Sequence, residues 1–164
     1  MKKTCVVFGS SMGNTEEVAN LIASKLGISD VFNVSDINAS QLNEYEALIV
    51  GSSTWGSGDL QDDWDSFDFD ALEVGGKTVA LFGLGDSAGY SDSFCDALGI
   101  LHEKFTQKGA NIIGQVDTGD YNFDNSRAVI DGKFTGLALD MDNESDKTNS
   151  RVEAWVKIIS PLLD

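Results

Sequence analysis

Three short apolar runs, at residues 5–8, 47–50 and 78–82, each stop at a glycine: Gly9, Gly51 and Gly83. Each glycine opens a polar loop. A run that is apolar on consecutive positions has no solvent face, so these segments are predicted to be strands buried on both sides. Between and after them lie stretches with helical spacing. Val18, Leu21, Ile22 and Leu26 mark one helix, with Asn14 and Glu17 in capping-box positions at its start and Gly27 at its end. Phe94, Ala97, Leu98, Leu101 and Phe105 mark another, closed by Gly109. Val152, Trp155, Val156 and Ile159 mark a third, whose last turn Pro161 disturbs. Residues 30–34 and 111–116 supply two further strands, and residues 38–45 a short polar helix. Strands buried on both faces and alternating with helices predict an α/β fold. That is a doubly wound, five-stranded parallel sheet with helices on both faces. Residues 119–140 break the rhythm. They carry the turn signal Asp131-Gly132 and the apolar residues Phe123, Val129, Ile130, Phe134 and Leu137, and are expected to form a packed insertion in or after the fifth strand.

The chain has 164 residues, which predicts one domain spanning 1–164. Eleven Lys plus Arg against 27 Asp plus Glu give a net charge of −16. Such a surface repels nucleic acid and anionic membranes and suits a basic protein partner. Two cysteines, Cys5 and Cys95, make neither a disulfide framework nor a four-ligand metal site, and the single histidine, His102, disfavours zinc chemistry. No metal is expected. Cys5 is expected in the core, Cys95 packed on a helix, and His102 on a helix surface. The N-terminal apolar run is too short for a signal peptide or a membrane span, so the chain is expected to be cytoplasmic with reduced thiols.

Ligands of open α/β sheets bind beyond the carboxyl ends of the strands. Three loops stand there. The first is Ser10-Ser11-Met12-Gly13-Asn14-Thr15. Small and hydroxyl residues before a helix make an anion site from backbone N–H groups and the helix dipole. It lacks the Lys of a nucleotide P-loop. A capped helix after a turn would use similar residues. The second, Ser52-Ser53-Thr54-Trp55-Gly56-Ser57-Gly58-Asp59-Leu60, carries a Trp that suits stacking on a flat ligand, although a Trp folded back on the core is the alternative. The third, Gly83-Leu84-Gly85-Asp86 through Tyr90 to Asp92, adds a second aromatic among residues that permit close backbone approach. A phosphate site and two aromatic loops at one sheet edge fit a planar heterocycle with one phosphate.

These three loops together resemble those of the flavodoxins. The segment with Tyr121-Asn122-Phe123 and residues 132–140 is similar to the insertion of the long-chain members. The resemblance covers essentially the whole chain. It implies strand order 2-1-3-4-5 and non-covalently bound FMN, with residues Ser10, Ser11, Met12, Gly13, Asn14 and Thr15 on the phosphate. It places Trp55 on one flavin face and Tyr90 on the other. Backbone around Gly58 and Gly85-Asp86 would meet the pyrimidine edge, and Thr54, Gly56, Ser57 and Asp92 complete the implied cofactor set. The Gly56–Ser57 peptide would turn over when the flavin takes its first electron. Met12 stands where the family usually has Thr, and Ser57 where a larger residue is common.

The resemblance implies a low-potential single-electron carrier and not an enzyme, with no catalytic residues. It would work as a monomer between a reductase as donor and low-potential redox enzymes as acceptors. An FMN-dependent quinone oxidoreductase on the same fold is the alternative, against which aromatics on both flavin faces argue. A phospho-accepting receiver would need an Asp at the end of the third strand, where residues 49–53 have none.

Overall fold

The computed structural model describes residues 2–9, 13–55 and 58–164. The chain runs β1 (Thr4–Gly9), α1 (Asn14–Leu26), β2 (Val31–Asn33), α2 (Ala39–Leu42), β3 (Ala47–Trp55), β4 (Asp59–Leu60) and α3 (Asp62–Asp65). It continues through β5 (Thr78–Leu84), α4 (Asp96–Gln107), β6 (Asn111–Ile113), β7 (Val116–Asp117), β8 (Val129–Ile130), β9 (Lys133–Phe134), β10 (Leu137–Leu139) and α5 (Thr148–Ile159). The main sheet has the order β2-β1-β3-β5 and is parallel throughout this path.

Alternation along each strand builds two cores. Cys5 and Val7 of β1, Leu48 and Val50 of β3, and Val79 and Leu81 of β5 face one side, where Ala97, Leu98, Leu101 and Phe105 of α4 cover them. Val6, Phe8, Ile49, Ala80 and Phe82 face the other, against Val18 and Ile22 of α1 and Val152 and Trp155 of α5. Each fully buried Val, Leu or Ile contributes roughly 1.5–3 kcal/mol of transfer free energy. The sheet therefore gains on both faces, which is why its strands read as unbroken apolar runs. Trp64 and Trp155 are packed, and each satisfies its ring N–H on a backbone carbonyl: Gly51 at 2.8 Å and Gly114 at 2.8 Å.

The fifth strand departs most from the sequence expectation. It does not run through residues 111–116. β6 pairs with the first half of β5, Ile113 opposite Ala80, and then stops. Gly114 turns the chain away at φ +85°, and a Cβ there would sit 2.7 Å from the Trp155 ring nitrogen. β10 returns to pair with the second half of β5, Leu137 opposite Phe82. The fifth position of the sheet is thus filled by two segments, and the insertion interrupts it. The excursion forms its own antiparallel sheet, β7-β9-β8. It seats Tyr121, Phe123 and Phe134 against Phe94, with ring centroids 5.5–6.2 Å from Phe94.

Smaller corrections concern strand ends, where backbone pairing outruns the side-chain pattern, and helix caps. β3 continues through Ser52 to Trp55 and β5 through Gly83 to Leu84, so the residues after Gly51 and Gly83 begin as strand. α1 is not capped by Asn14. Gly13 is the N-cap, at φ +88°, with no side-chain cap, and Asn14 is already helical. The capping box belongs to α2, where Asn38 and Gln41 each accept the other's backbone N–H. α4 starts at Asp96, and Cys95 is its fully buried N-cap at φ +53°. His102 on α4 is half-buried rather than exposed, and that burial pulls its pKa below the ordinary value.

Candidate functional site

Between β1 and β3 the chain's direction of winding reverses: from β1 it moves outward to β2, then crosses back to β3 on the other side. Neighbouring loops diverge at such a point and leave a crevice past the strand ends. Register brings the three loops there. Gly9 pairs with Ser52, and Ser53 with Leu84, so the segments after β1, β3 and β5 leave the sheet side by side.

A cavity of about 290 Å³ opens at this place. Among the described residues, the first loop contributes Asn14 and Thr15, and the end of β3 contributes Ser53, Thr54 and Trp55. Leu84, Gly85, Asp86, Tyr90 and Ser93 come from the end of β5 and the loop beyond it. Met141 and Asp142, which follow β10, close the rim. Trp55 and Tyr90 are large aromatics left 39% and 52% exposed, which is costly unless something stacks on them. Two hydroxyls in the lining, Thr15 Oγ1 and Ser53 Oγ, are buried without a hydrogen-bond partner. A buried hydroxyl left unpaired costs about 1–3 kcal/mol, so both fit a polar ligand. Thr15 stands in the first turn of α1, where no side chain caps the helix and the dipole favours an anion.

Of the residues expected at the site, Asn14, Thr15, Thr54, Trp55, Gly85, Asp86 and Tyr90 line this cavity. Gly13, Gly58 and Asp92 do not line it. Gly13 precedes α1, and Asp92 is exposed in the turn that follows Tyr90. Gly58 lies behind Trp55, at φ +114°, with the Asp96 carboxylate 2.5 Å from where a Cβ would project. Ser10, Ser11, Met12, Gly56 and Ser57 lie outside the described residues. Ser53 and Leu84 stood in the second and third loops without an assigned role, and Ser93, Met141 and Asp142 were not expected. The last two had a usable signal: the acid-rich run 140–143 directly follows the apolar triplet 137–139, and so lies past a strand's carboxyl end.

The third loop is held by carboxylates. Asp86 accepts the backbone N–H groups of Ala88 and Gly89 at 3.1 and 2.7 Å, closing the turn that carries Tyr90. The fully buried Asp140 accepts from the Ser87 backbone N–H at 3.2 Å and from the Ser87 hydroxyl. The Gly89 N–H, the Asn143 amide and the Ala88 N–H hold the Asp86 carboxyl below its usual range. Asp142 moves the other way, raised by burial of its carboxyl and by the charges of Asp86 and Asp140. Oxygens of these three carboxylates lie within 4.8 Å of one another. The second loop leans on α4, whose Ala97 N–H donates to Thr54 Oγ1 at 3.2 Å. No helix among the described residues is long and apolar enough to cross a membrane.

A family model described as Flavodoxin matches residues 6–155. A flavodoxin of Picosynechococcus sp. is 43% identical over 166 residues, covering 98% of this chain and 98% of its own. Flavodoxin 1 of Escherichia coli is 41% identical and covers 99% and 96%. Among solved structures, a Fusobacterium nucleatum flavodoxin bound to flavin mononucleotide superimposes with a TM-score of 0.93, at 26% identity and full coverage of both chains.

Proposed function

Because the chain belongs to the flavodoxin family, we propose that its cleft between the β1 and β3 loops holds FMN. The phosphate would lie at the start of α1 and the ring system between Trp55 and Tyr90. The protein is an FMN-based single-electron carrier and not an enzyme. The observation that carries the placement is the pair of buried, unpartnered hydroxyls, Thr15 and Ser53, in a cavity flanked by two exposed aromatics.

FMN supplies the one-electron redox chemistry when bound. The chain's own residues do the rest. Thr15 and the uncapped first turn of α1 hold a phosphate by hydroxyl, N–H and dipole, without a cationic side chain among the described lining residues. The family resemblance would add Ser10, Ser11 and Met12 to the residues that bind the phosphate. Trp55 and Tyr90 would cover the two ring faces and keep water from them. Thr54, steadied by the Ala97 N–H, and the backbone of Gly85 and Asp86 would meet the ring's polar edge, while Gly58, which does not line the cavity, acts one step back by bonding the Trp55 carbonyl. Asp86 and Asp142, both in the cavity lining, would set carboxylates beside the ring and so disfavour added negative charge there.

The partners are basic redox proteins, a reductase as donor and low-potential enzymes as acceptors, met by the exposed carboxylates of Asp59, Asp62 and Asp65 near the Trp55 rim. The chain works as a monomer in the cytoplasm. The decisive experiment is a titration of the apoprotein with FMN and with riboflavin. FMN is expected to bind at least about tenfold more tightly, because only it brings a charge-assisted phosphate contact. Equal affinity for the two would remove the phosphate from the start of α1. Anaerobic reduction of the complex is expected to proceed in two resolved one-electron steps.

A further inference from the structure

We propose that Asn143 is a positioning residue of the flavin site: its side-chain amide ties the Tyr90-bearing loop to the end of β10. This rests on the reading that the cleft holds FMN. The Asn143 Nδ2 lies 2.7 Å from Asp86 Oδ1 and 3.1 Å from each oxygen of Asp140. Its backbone N–H adds a bond to Asp140 Oδ1 at 3.0 Å. A carboxamide NH₂ carries two hydrogens, and here both are directed at carboxylates, the stronger class of neutral-donor bond. The reverse orientation would set the amide oxygen against three anionic oxygens, so the donor assignment is fixed by its surroundings.

Asn143 links two anchors. Asp86 closes the turn of residues 86–90 through Ala88, Gly89 and the Tyr90 N–H, which donates to the Asp86 carbonyl at 2.9 Å. Asp140 holds the same turn from below through Ser87. The two carboxylates would repel each other, and the amide between them replaces that repulsion with a shared donor. The charged groups that face Asn143 are Asp86, Asp140 and Asp142. Glu144, next in sequence, pairs instead with Arg151 and Lys147. Asn143 is itself exposed and does not line the cavity, so its effect on the flavin passes through Asp86 and the placement of Tyr90.

The test compares Asn143→Asp and Asn143→Ala in the full chain. In Asn143→Asp an acceptor-only carboxylate faces Asp86, Asp140 and Asp142. FMN affinity is expected to fall at least tenfold at pH 8 and to recover toward wild type near pH 5, where the new acid takes up a proton and can donate again. Asn143→Ala is expected to lose affinity at both pH values. The second one-electron potential should shift in both variants. Amide exchange at Ser87, Gly89 and Tyr90 in the FMN-free protein is expected to quicken about tenfold in both at pH 8. Unchanged exchange at these amides would overturn the proposal whether or not FMN binds. So would accelerated exchange combined with wild-type affinity and potentials, since that describes a purely structural contact. A loss in Asn143→Asp with no recovery at low pH would overturn it as well. A wild type that fails to bind FMN would overturn the cofactor reading instead, and the exchange data would still decide whether Asn143 holds the loop.

Discussion

Trp55 and Tyr90 flank one cleft, but the chain holds them by different means. Trp55 is the last residue of β3. The strand beneath it pairs with β1 and β5, and at its tip Trp55 pairs antiparallel with Asp59, with the Gly58 N–H returning to the Trp55 carbonyl at 3.1 Å. This wall is a continuation of the sheet. Tyr90 stands six residues past Leu84, the end of β5, in a turn with no ladder partner. Apart from local backbone bonds such as Tyr90 N–H to the Asp86 carbonyl, it is fixed by side chains: Asp86 within the turn, and Asp140 and Asn143 from the end of β10 onward. A wall made of backbone shares the stability of the whole fold. A wall made of carboxylate contacts can loosen alone and is sensitive to protons.

The sharpest way to separate the two is to attack the support of the first. Trp64 is fully buried, and its ring N–H bonds to Gly51 in the middle of β3. Trp64→Ala should cost about 3–5 kcal/mol, measured as a shift of the urea midpoint, and the Trp55 side should be lost only with global unfolding. Asp140→Ala attacks the second wall. It strands donors on Ser87 and Asn143 and should cost about 1–3 kcal/mol. Its signature should be local, with hydrogen exchange accelerated across residues 87–90 and unchanged in β3. Equal acceleration in both regions would mean that the two walls are one cooperative unit.

The smallest effect is a pH dependence confined to the Tyr90 side. Folding lowers the Asp86 carboxyl from its ordinary value of 3.8. Such a group contributes stability that is complete above the unfolded value and is lost as pH falls through the folded one. Acid titration below about pH 4 should therefore loosen residues 86–90, seen as faster exchange, while the Trp55 strand keeps its protection until the fold gives way. Asp86→Asn should remove the pH-dependent part of that response.

The same contrast explains what the sequence made legible. β1, β3 and β5 are buried on both faces, so their apolar runs stood out, and the helices that cover them showed their stripes. The Trp55 wall followed from this, because a loop after a strand end is found once the strand is found. The support of Tyr90 was not readable. Asn143 lies 57 positions from Asp86, in a polar stretch with no periodicity, and only the return of β10 to the sheet brings the two together. The fifth strand was misjudged for a related reason. Residues 111–116 read as one strand, and the one signal against it, Gly114 followed by Gln115, does not by itself show that the chain turns there and sends Val116 into another sheet.

The two halves of that fifth position are in phase. Ile113 stands opposite Ala80 and Leu137 opposite Phe82, leaving room for a single residue across from Leu81. A chain spliced so that Gly114 led directly to Leu137 would lay down one unbroken strand, with its side chains on the faces they already occupy. It would still reach Asp140 and Asn143 at the rim. The penalty would fall elsewhere, on Phe94, whose ring would lose Tyr121, Phe123 and Phe134 and meet water at the start of α4. In topology the excursion is a parenthesis that can be lifted out without disturbing the sentence around it. In packing it is the roof over the helix that carries the second aromatic loop.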